Sequence, residues 1–224
     1  LPLMRWTVPN ILTLLRLIAA PAVPLMFLYF SRPFADWAAL ALFLVAAVTD
    51  WIDGYLARAW GQESHFGAAM DPIADKAMVV IALLVITGYS GMNPWLILPA
   101  TVILFREVFV TGLREYLGDR SRLLKVTRLA KWKTTAQMVA IAVLFLGTGL
   151  DYLKGIHLRG MTPEAYARAV ELGTADPVRT CFASGCAGAA TVLGLGLIWI
   201  AAGLTIVTGF DYFRKALPYL KEPK

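Results

Sequence analysis

The sequence predicts an all-α integral membrane protein with six transmembrane helices. It is 58% hydrophobic and only 16% charged, with a mean hydropathy of +0.65. Soluble domains carry about a quarter charged residues. The apolar residues also fall in runs long enough to cross a bilayer as helices, which takes about 20 residues. Six such runs lie near residues 9–30, 36–58, 67–90, 94–117, 131–153 and 187–210.

The first run contains Arg16 and is followed by no clean small-residue cleavage site, so it does not read as a removable signal peptide. Leu1 to Leu3 read as an addition ahead of a native start at Met4. Asn10 and Thr13 stand three apart at the entrance of this run. They either hydrogen-bond a polar ligand or simply begin the helix, with Asn10 as its cap. The second and third runs carry Asp50, Asp53, Asp71 and Asp75. The fourth carries Arg106 and Arg114, and Lys131 and Lys133 open the fifth. Between the fifth and sixth, "TPEAYARAVELG" predicts a short surface helix, capped by Thr162, started by Pro163 and ended by Gly173.

Charge sets the orientation, because cytoplasmic loops collect Lys and Arg. The segment after the fourth run holds Arg120, Arg122, Lys125 and Arg128, and the tail holds Arg214, Lys215, Lys221 and Lys224. The loop 88–93 has no charge. The chain therefore reads as one domain, 1–224, with a cytoplasmic segment 1–8, an extracytoplasmic loop 154–186 and a cytoplasmic tail 211–224. The net charge of +6 lies beside the spans, which argues against a nucleic-acid binder. Cys181 and Cys186, assigned to the outer loop, either form a disulfide across a tight turn or remain two free small residues.

The four aspartates need an explanation, since a charge within a span is expensive and marks function by default. At 1.5 Å per residue, Asp50 and Asp75 both lie about 12 Å from the cytoplasmic edge, and Asp53 and Asp71 about 6–8 Å. Spacings of three and four put each pair on one helical face. Two antiparallel helices can thus present four carboxylates at matched depths. Hard divalent cations take such oxygen ligands, magnesium typically together with substrate phosphates. Salt bridges to Arg58, Lys76 or Arg106 are the plainer alternative, and a cation or proton transporter is another. Gly54, Ala57 and Gly67 are small enough for close approach of a helix or ligand. Arg58 offers a bidentate fork to a phosphate, and Ser64 a hydroxyl in the connecting loop.

The pattern Asp-x2-Asp-Gly-x2-Ala-Arg-x8-Gly-x3-Asp-x3-Asp, read here as Asp50, Asp53, Gly54, Ala57, Arg58, Gly67, Asp71 and Asp75, resembles the signature of the CDP-alcohol phosphatidyltransferase family. The resemblance extends to "PNILTLLRL", "REVFVTGLREYL", "LAKWKTTAQM" and "LTIVTGFDYFRKAL". Together they are most similar to the branch that uses sn-glycerol-3-phosphate as acceptor. The family implies a six-helix membrane enzyme, usually a homodimer, in the inner membrane with its site open to the cytoplasm. It implies two divalent cations, Mg2+ or Mn2+, held by Asp50, Asp53, Asp71 and Asp75, with Asp75 as general base. It implies CDP-diacylglycerol contacts at Gly54, Arg58 and Ser64, which Asn10, Thr13, Ala57 and Gly67 can join. Another acceptor within the family, such as inositol phosphate, remains the alternative.

The acceptor pocket follows from charge. Glycerol phosphate brings a dianion, so its pocket needs cations beyond those on the diphosphate. Arg106 lies about 18 Å along the fourth helix, where a buried arginine calls for an anion. Arg114, Lys131 and Lys133 are further candidates, with positive-inside anchoring as their alternative. For Arg106 the alternative is an internal salt bridge, to an aspartate or to Glu107.

Overall fold

The computed structural model describes residues 7–60, 64–118, 128–158, 161–174 and 177–220. Within these ranges the side chains of Asp53, Gly54, Ala57, Arg58, Lys131 and Cys181 lie outside the described set. The chain forms α1 (Val8–Tyr29), α2 (Phe34–Trp60), α3 (His65–Tyr89), α4 (Pro94–Leu117), α5 (Arg128–Leu158), α6 (Pro163–Glu171) and α7 (Pro177–Leu220). The described residues contain no strand.

Local chemistry sets the ends of these helices. Ser64 caps α3 by accepting from the Gly67 amide at 3.0 Å. Asn93 accepts from the Trp95 amide and Pro94 opens α4 at a position that needs no amide hydrogen. Thr162 and Pro163 start α6, and Gly173, with φ +68°, follows its end as the sequence predicted.

Among the described residues, four helices hold stretches long and apolar enough to cross a membrane: Asn10–Tyr29, Pro94–Leu117, Trp132–Gly155 and Gly185–Leu220. α2 and α3 match them in length, at 27 and 25 residues, but carry the aspartates. The bundle centres on Phe43, Met78, Leu83, Ile103, Phe145 and Ile198, all buried and drawn from α2, α3, α4, α5 and α7. α1 packs along α2 and α3, α4 along α7, and α5 along α7. The outward faces are apolar too: Ile18, Leu28, Val45, Leu84, Phe105, Val108 and Val192 are all more than half exposed. A surface this greasy suits lipid rather than water.

Two boundaries differ from the sequence reading. α7 begins ten residues before the expected sixth run, and α5 continues to Leu158. "CFASGC" is therefore helical. Five residues along a helix rise about 7.5 Å, beyond the roughly 4.4–6.8 Å between α-carbons that a disulfide spans. Cys186 is a free thiol, which overturns the bonded reading of this pair.

Candidate functional site

The sequence places Asn10, Thr13 and Arg16 at intervals of three, so α1 turns all three to one face. That face meets the acids. Arg16 is 2% exposed. Its Nη1 donates to Asp50 Oδ1 of α2 and, at 2.6 Å, to Asp75 Oδ1 of α3. The Thr13 hydroxyl donates to Asp71 Oδ1 at 2.6 Å. The Ser64 hydroxyl donates to Asn10 Oδ1 at 2.6 Å while accepting the Gly67 amide. Gly67 is needed here: a Cβ would lie 3.1 Å from Asn10 Oδ1 and 3.3 Å from Ser64 Oγ.

One guanidinium thus draws together the two deeper carboxylates. Asp50 and Asp75 each keep about a third of their side-chain surface open, at 36% and 35%. Free lone pairs on partly open carboxylates are the donors a hard divalent ion takes, so the acids fit one. Among the described residues no three acids already stand in a ready cluster. Asp53 lies on the same helix as Asp50, with its side chain outside the described set, as are those of Gly54, Ala57 and Arg58.

Asp75 also borders a second feature, a cavity of about 230 Å³ between α3, α4, α5 and α7. Four cations line it: Lys76, Arg106, Arg114 and Lys133. Its acids are largely engaged elsewhere. Asp75 meets Arg16, and Asp211 is held by Lys215 at 2.7 Å. Glu107 pairs with Lys133, and Arg106 Nη1 approaches it at 3.2 Å. The internal salt bridge weighed for Arg106 therefore exists, but Glu107 is shared between two cations and leaves a positive surplus. Arg106 lies across Gly209, where a Cβ would come within 2.9 Å of its Cγ. The Arg106 Nε is buried without a hydrogen-bond partner among the described residues. Arg114 stacks over the Tyr212 ring at 5.3 Å. Of the four expected acceptor residues, the structure brings Arg106, Arg114 and Lys133 to this one cavity; the Lys131 side chain is outside the described set.

Sequence reasoning did not single out several residues that meet the acids or line this cavity. Arg16 was read only as an interruption of the first span, although its register with Asn10 and Thr13 was a signal. Lys76, whose Nζ donates to the Thr111 hydroxyl, was weighed only as a salt-bridge partner for the aspartates. Gln137 and Tyr212 come from helices far apart in sequence, and no spacing rule joins them.

The opposite end of the bundle holds a larger cavity of about 660 Å³ beside Arg32. Arg32 forks onto Asp36, donates to the Thr148 carbonyl at 2.9 Å, and lies over the rings of Tyr89 and Tyr152. Its hydrogen bond to Asp36 raises the guanidinium pKa above its ordinary value.

A family model described as CDP-alcohol phosphatidyltransferase matches residues 6–207. A protein of Cereibacter sphaeroides named CDP-diacylglycerol--glycerol-3-phosphate 3-phosphatidyltransferase is 73% identical over 221 residues, covering 99% of this chain and all of its own. Proteins of the same name from Escherichia coli K12 and Shigella flexneri serotype 5b are each 45% identical over 144 residues, covering 63% of this chain and 78% of theirs.

Proposed function

This chain belongs to the CDP-alcohol phosphatidyltransferase family, and on that premise we propose that it transfers the phosphatidyl group of CDP-diacylglycerol to sn-glycerol-3-phosphate with release of CMP. That is the activity of a phosphatidylglycerophosphate synthase and a step of phospholipid biosynthesis. One observation carries the reading: Asp75 stands between the Arg16-linked acids and the cationic cavity. A donor on the acids and an anionic acceptor in the cavity meet at that carboxylate.

The acceptor's primary hydroxyl attacks the phosphorus that bears the diacylglycerol, and CMP leaves. Asp75 accepts the proton as the new bond forms. Arg106 and Lys133 hold the acceptor phosphate, with Arg114 at the rim. Asn10, Thr13, Ser64 and Gly67 form a polar lining for the donor's nucleotide and diphosphate, joined by Gly54, Ala57 and Arg58 from α2. Arg16 fixes the spacing of Asp50 and Asp75, so the attacking and leaving groups are positioned rather than searched for. Asp50, Asp53, Asp71 and Asp75 would hold two divalent cations, Mg2+ or Mn2+. When bound, such ions neutralise the charge on the diphosphate.

The setting follows from the substrate. Two acyl chains must stay in lipid while the headgroup meets a water-soluble acceptor. α2 and α3 join the four apolar helices to make six spans in one domain of the inner membrane. The basic ends of α4, α5 and α7 face the cytoplasm, as charge distribution favours. A second copy completes a homodimer.

CMP release from CDP-diacylglycerol, measured with a panel of acceptor alcohols, tests the reading. Magnesium-dependent release with sn-glycerol-3-phosphate is expected. Activity with inositol phosphate but none with glycerol phosphate would move the chain to another branch of the family. Ion flux without CMP release would make it a transporter.

A further inference from the structure

Two buried polar atoms of residues that line the cationic cavity have no hydrogen-bond partner among the described residues. Gln137 of α5 is 2% exposed and Tyr212 of α7 is 6% exposed. The Gln137 Nε2 and the Tyr212 hydroxyl find no hydrogen-bond partner among the described residues. Both residues line the cavity with Asp75, Arg106 and Lys133. Buried polar groups are nearly always bonded, and burying one without a partner is unfavourable. An amide nitrogen and a phenol hydroxyl without partners among the described residues, on two helices that line one cavity, therefore mark a place for a polar ligand atom.

Their chemistry narrows that atom. The cations suit the phosphate of the acceptor. A neutral amide and a neutral phenol suit a neutral hydroxyl instead. Glycerol phosphate has two hydroxyls, and the primary one goes to Asp75 as nucleophile. The secondary hydroxyl at C2 is left.

Register holds both groups in place. Gln137 follows Lys133 by one turn, so amide and ammonium share a face of α5. Tyr212 follows Gly209 by three residues, so its ring shares the face on which Arg106 lies. The Arg114 guanidinium over that ring fixes its direction.

We propose that Gln137 and Tyr212 recognise the C2 hydroxyl of the acceptor and make the site selective for a three-carbon polyol phosphate of one hand. This rests on the assignment of the cavity to glycerol phosphate. Asp75 at the nucleophile, Arg106 and Lys133 at the phosphate, and the amide–phenol pair at C2 make three fixed points. Three points distinguish a molecule from its mirror image, which charge alone does not.

The test uses the full-length enzyme in phospholipid vesicles with CDP-diacylglycerol and magnesium. CMP release is followed with sn-glycerol-3-phosphate, its enantiomer sn-glycerol-1-phosphate, and 3-hydroxypropyl phosphate, which lacks the C2 hydroxyl. The wild type is expected to show a kcat/KM about 10- to 100-fold lower on 3-hydroxypropyl phosphate, the loss that follows when buried polar groups go unpaired. It should also disfavour the enantiomer. Gln137→Leu and Tyr212→Phe should lower kcat/KM for sn-glycerol-3-phosphate by about tenfold and leave 3-hydroxypropyl phosphate unchanged, so that discrimination collapses. KM for CDP-diacylglycerol should not move. Tyr212→Phe keeps the ring and its stack with Arg114, so it reports on the hydroxyl even if Gln137→Leu does not fold. Equal losses on both acceptors, or no loss on glycerol phosphate, would overturn the proposal. So would a wild type that uses both acceptors equally while remaining fully active on glycerol phosphate. A wild type that releases no CMP with glycerol phosphate would overturn the underlying assignment and the proposal with it.

Discussion

Arg32 and Arg106 occupy opposite ends of the bundle, and each has an acid beside it. The likeness stops there. Arg32 forks onto Asp36, donates to the Thr148 carbonyl and is covered by two tyrosine rings. Arg106 has a 3.2 Å contact to a glutamate that Lys133 also claims, and its Nε has no partner among the described residues. The cavity beside Arg32 is nearly three times the larger, about 660 Å³ against about 230 Å³. Volume alone would choose the Arg32 end. Surplus charge and unspent donors choose the other, because a satisfied ion pair has little left to offer a ligand.

The contrast breaks most completely if the acids are not the chemical centre. Asp50→Asn, Asp53→Asn and Asp71→Asn are each expected to abolish metal-dependent CMP release while the protein stays folded. Asp75→Asn should lower kcat by about 10²- to 10⁴-fold, the range of a lost general base, and still bind CDP-diacylglycerol. Near-normal turnover in two of the first three variants would remove the metal-binding assignment.

Arg16 sharpens the same end. Arg16→Leu leaves Asp50 and Asp75 facing each other without their shared cation. It should lower stability by about 1.5–3 kcal/mol, since hydrogen bonds to charged groups are lost, and reduce turnover with it. Thermal melting in detergent beside CMP release separates the two effects. A stable but inactive variant would make Arg16 a direct contact of the donor.

Arg32→Ala should destabilise to a similar or smaller degree, about 1–3 kcal/mol by the loss of its fork. It should change neither substrate's KM. A changed KM would bring the far cavity into the reaction. The smallest effect is expected at Gly209→Ala. The added Cβ, 2.9 Å from Arg106 Cγ, forces that side chain aside. KM for glycerol phosphate should rise, by less than removal of Arg106 itself produces.

Helix positions were largely legible because a run of apolar residues and a helix obey the same length rule. α4 begins and ends where its apolar run does. α7 was read too short because "PVRTCFASGCAGAA" is small and weakly apolar, and nothing in hydropathy marks such a stretch as helical. The aspartates drew notice because two spacings of three and four, on neighbouring helices, constrain depth and face together, and the structure turns Asp50, Asp71 and Asp75 toward one face of α1. Arg106 drew notice because an arginine within a span demands an anion, and the structure sets Glu107 beside it at 3.2 Å. Gln137 and Tyr212 did not, because an uncharged polar residue in a span raises no alarm until its neighbours are known. Their meaning arises only where α3, α4, α5 and α7 converge.

The central claim is that the cavity at Arg106 holds the acceptor phosphate. The most direct test compares KM for sn-glycerol-3-phosphate and for CDP-diacylglycerol in Arg106→Ala, with Arg32→Ala as the control. Loss of a charge-assisted contact worth about 1.5–3 kcal/mol corresponds to a rise of roughly 10- to 150-fold. That rise is expected for glycerol phosphate alone, in Arg106→Ala alone. Equal rises for both substrates, or a matching rise in Arg32→Ala, would contradict it.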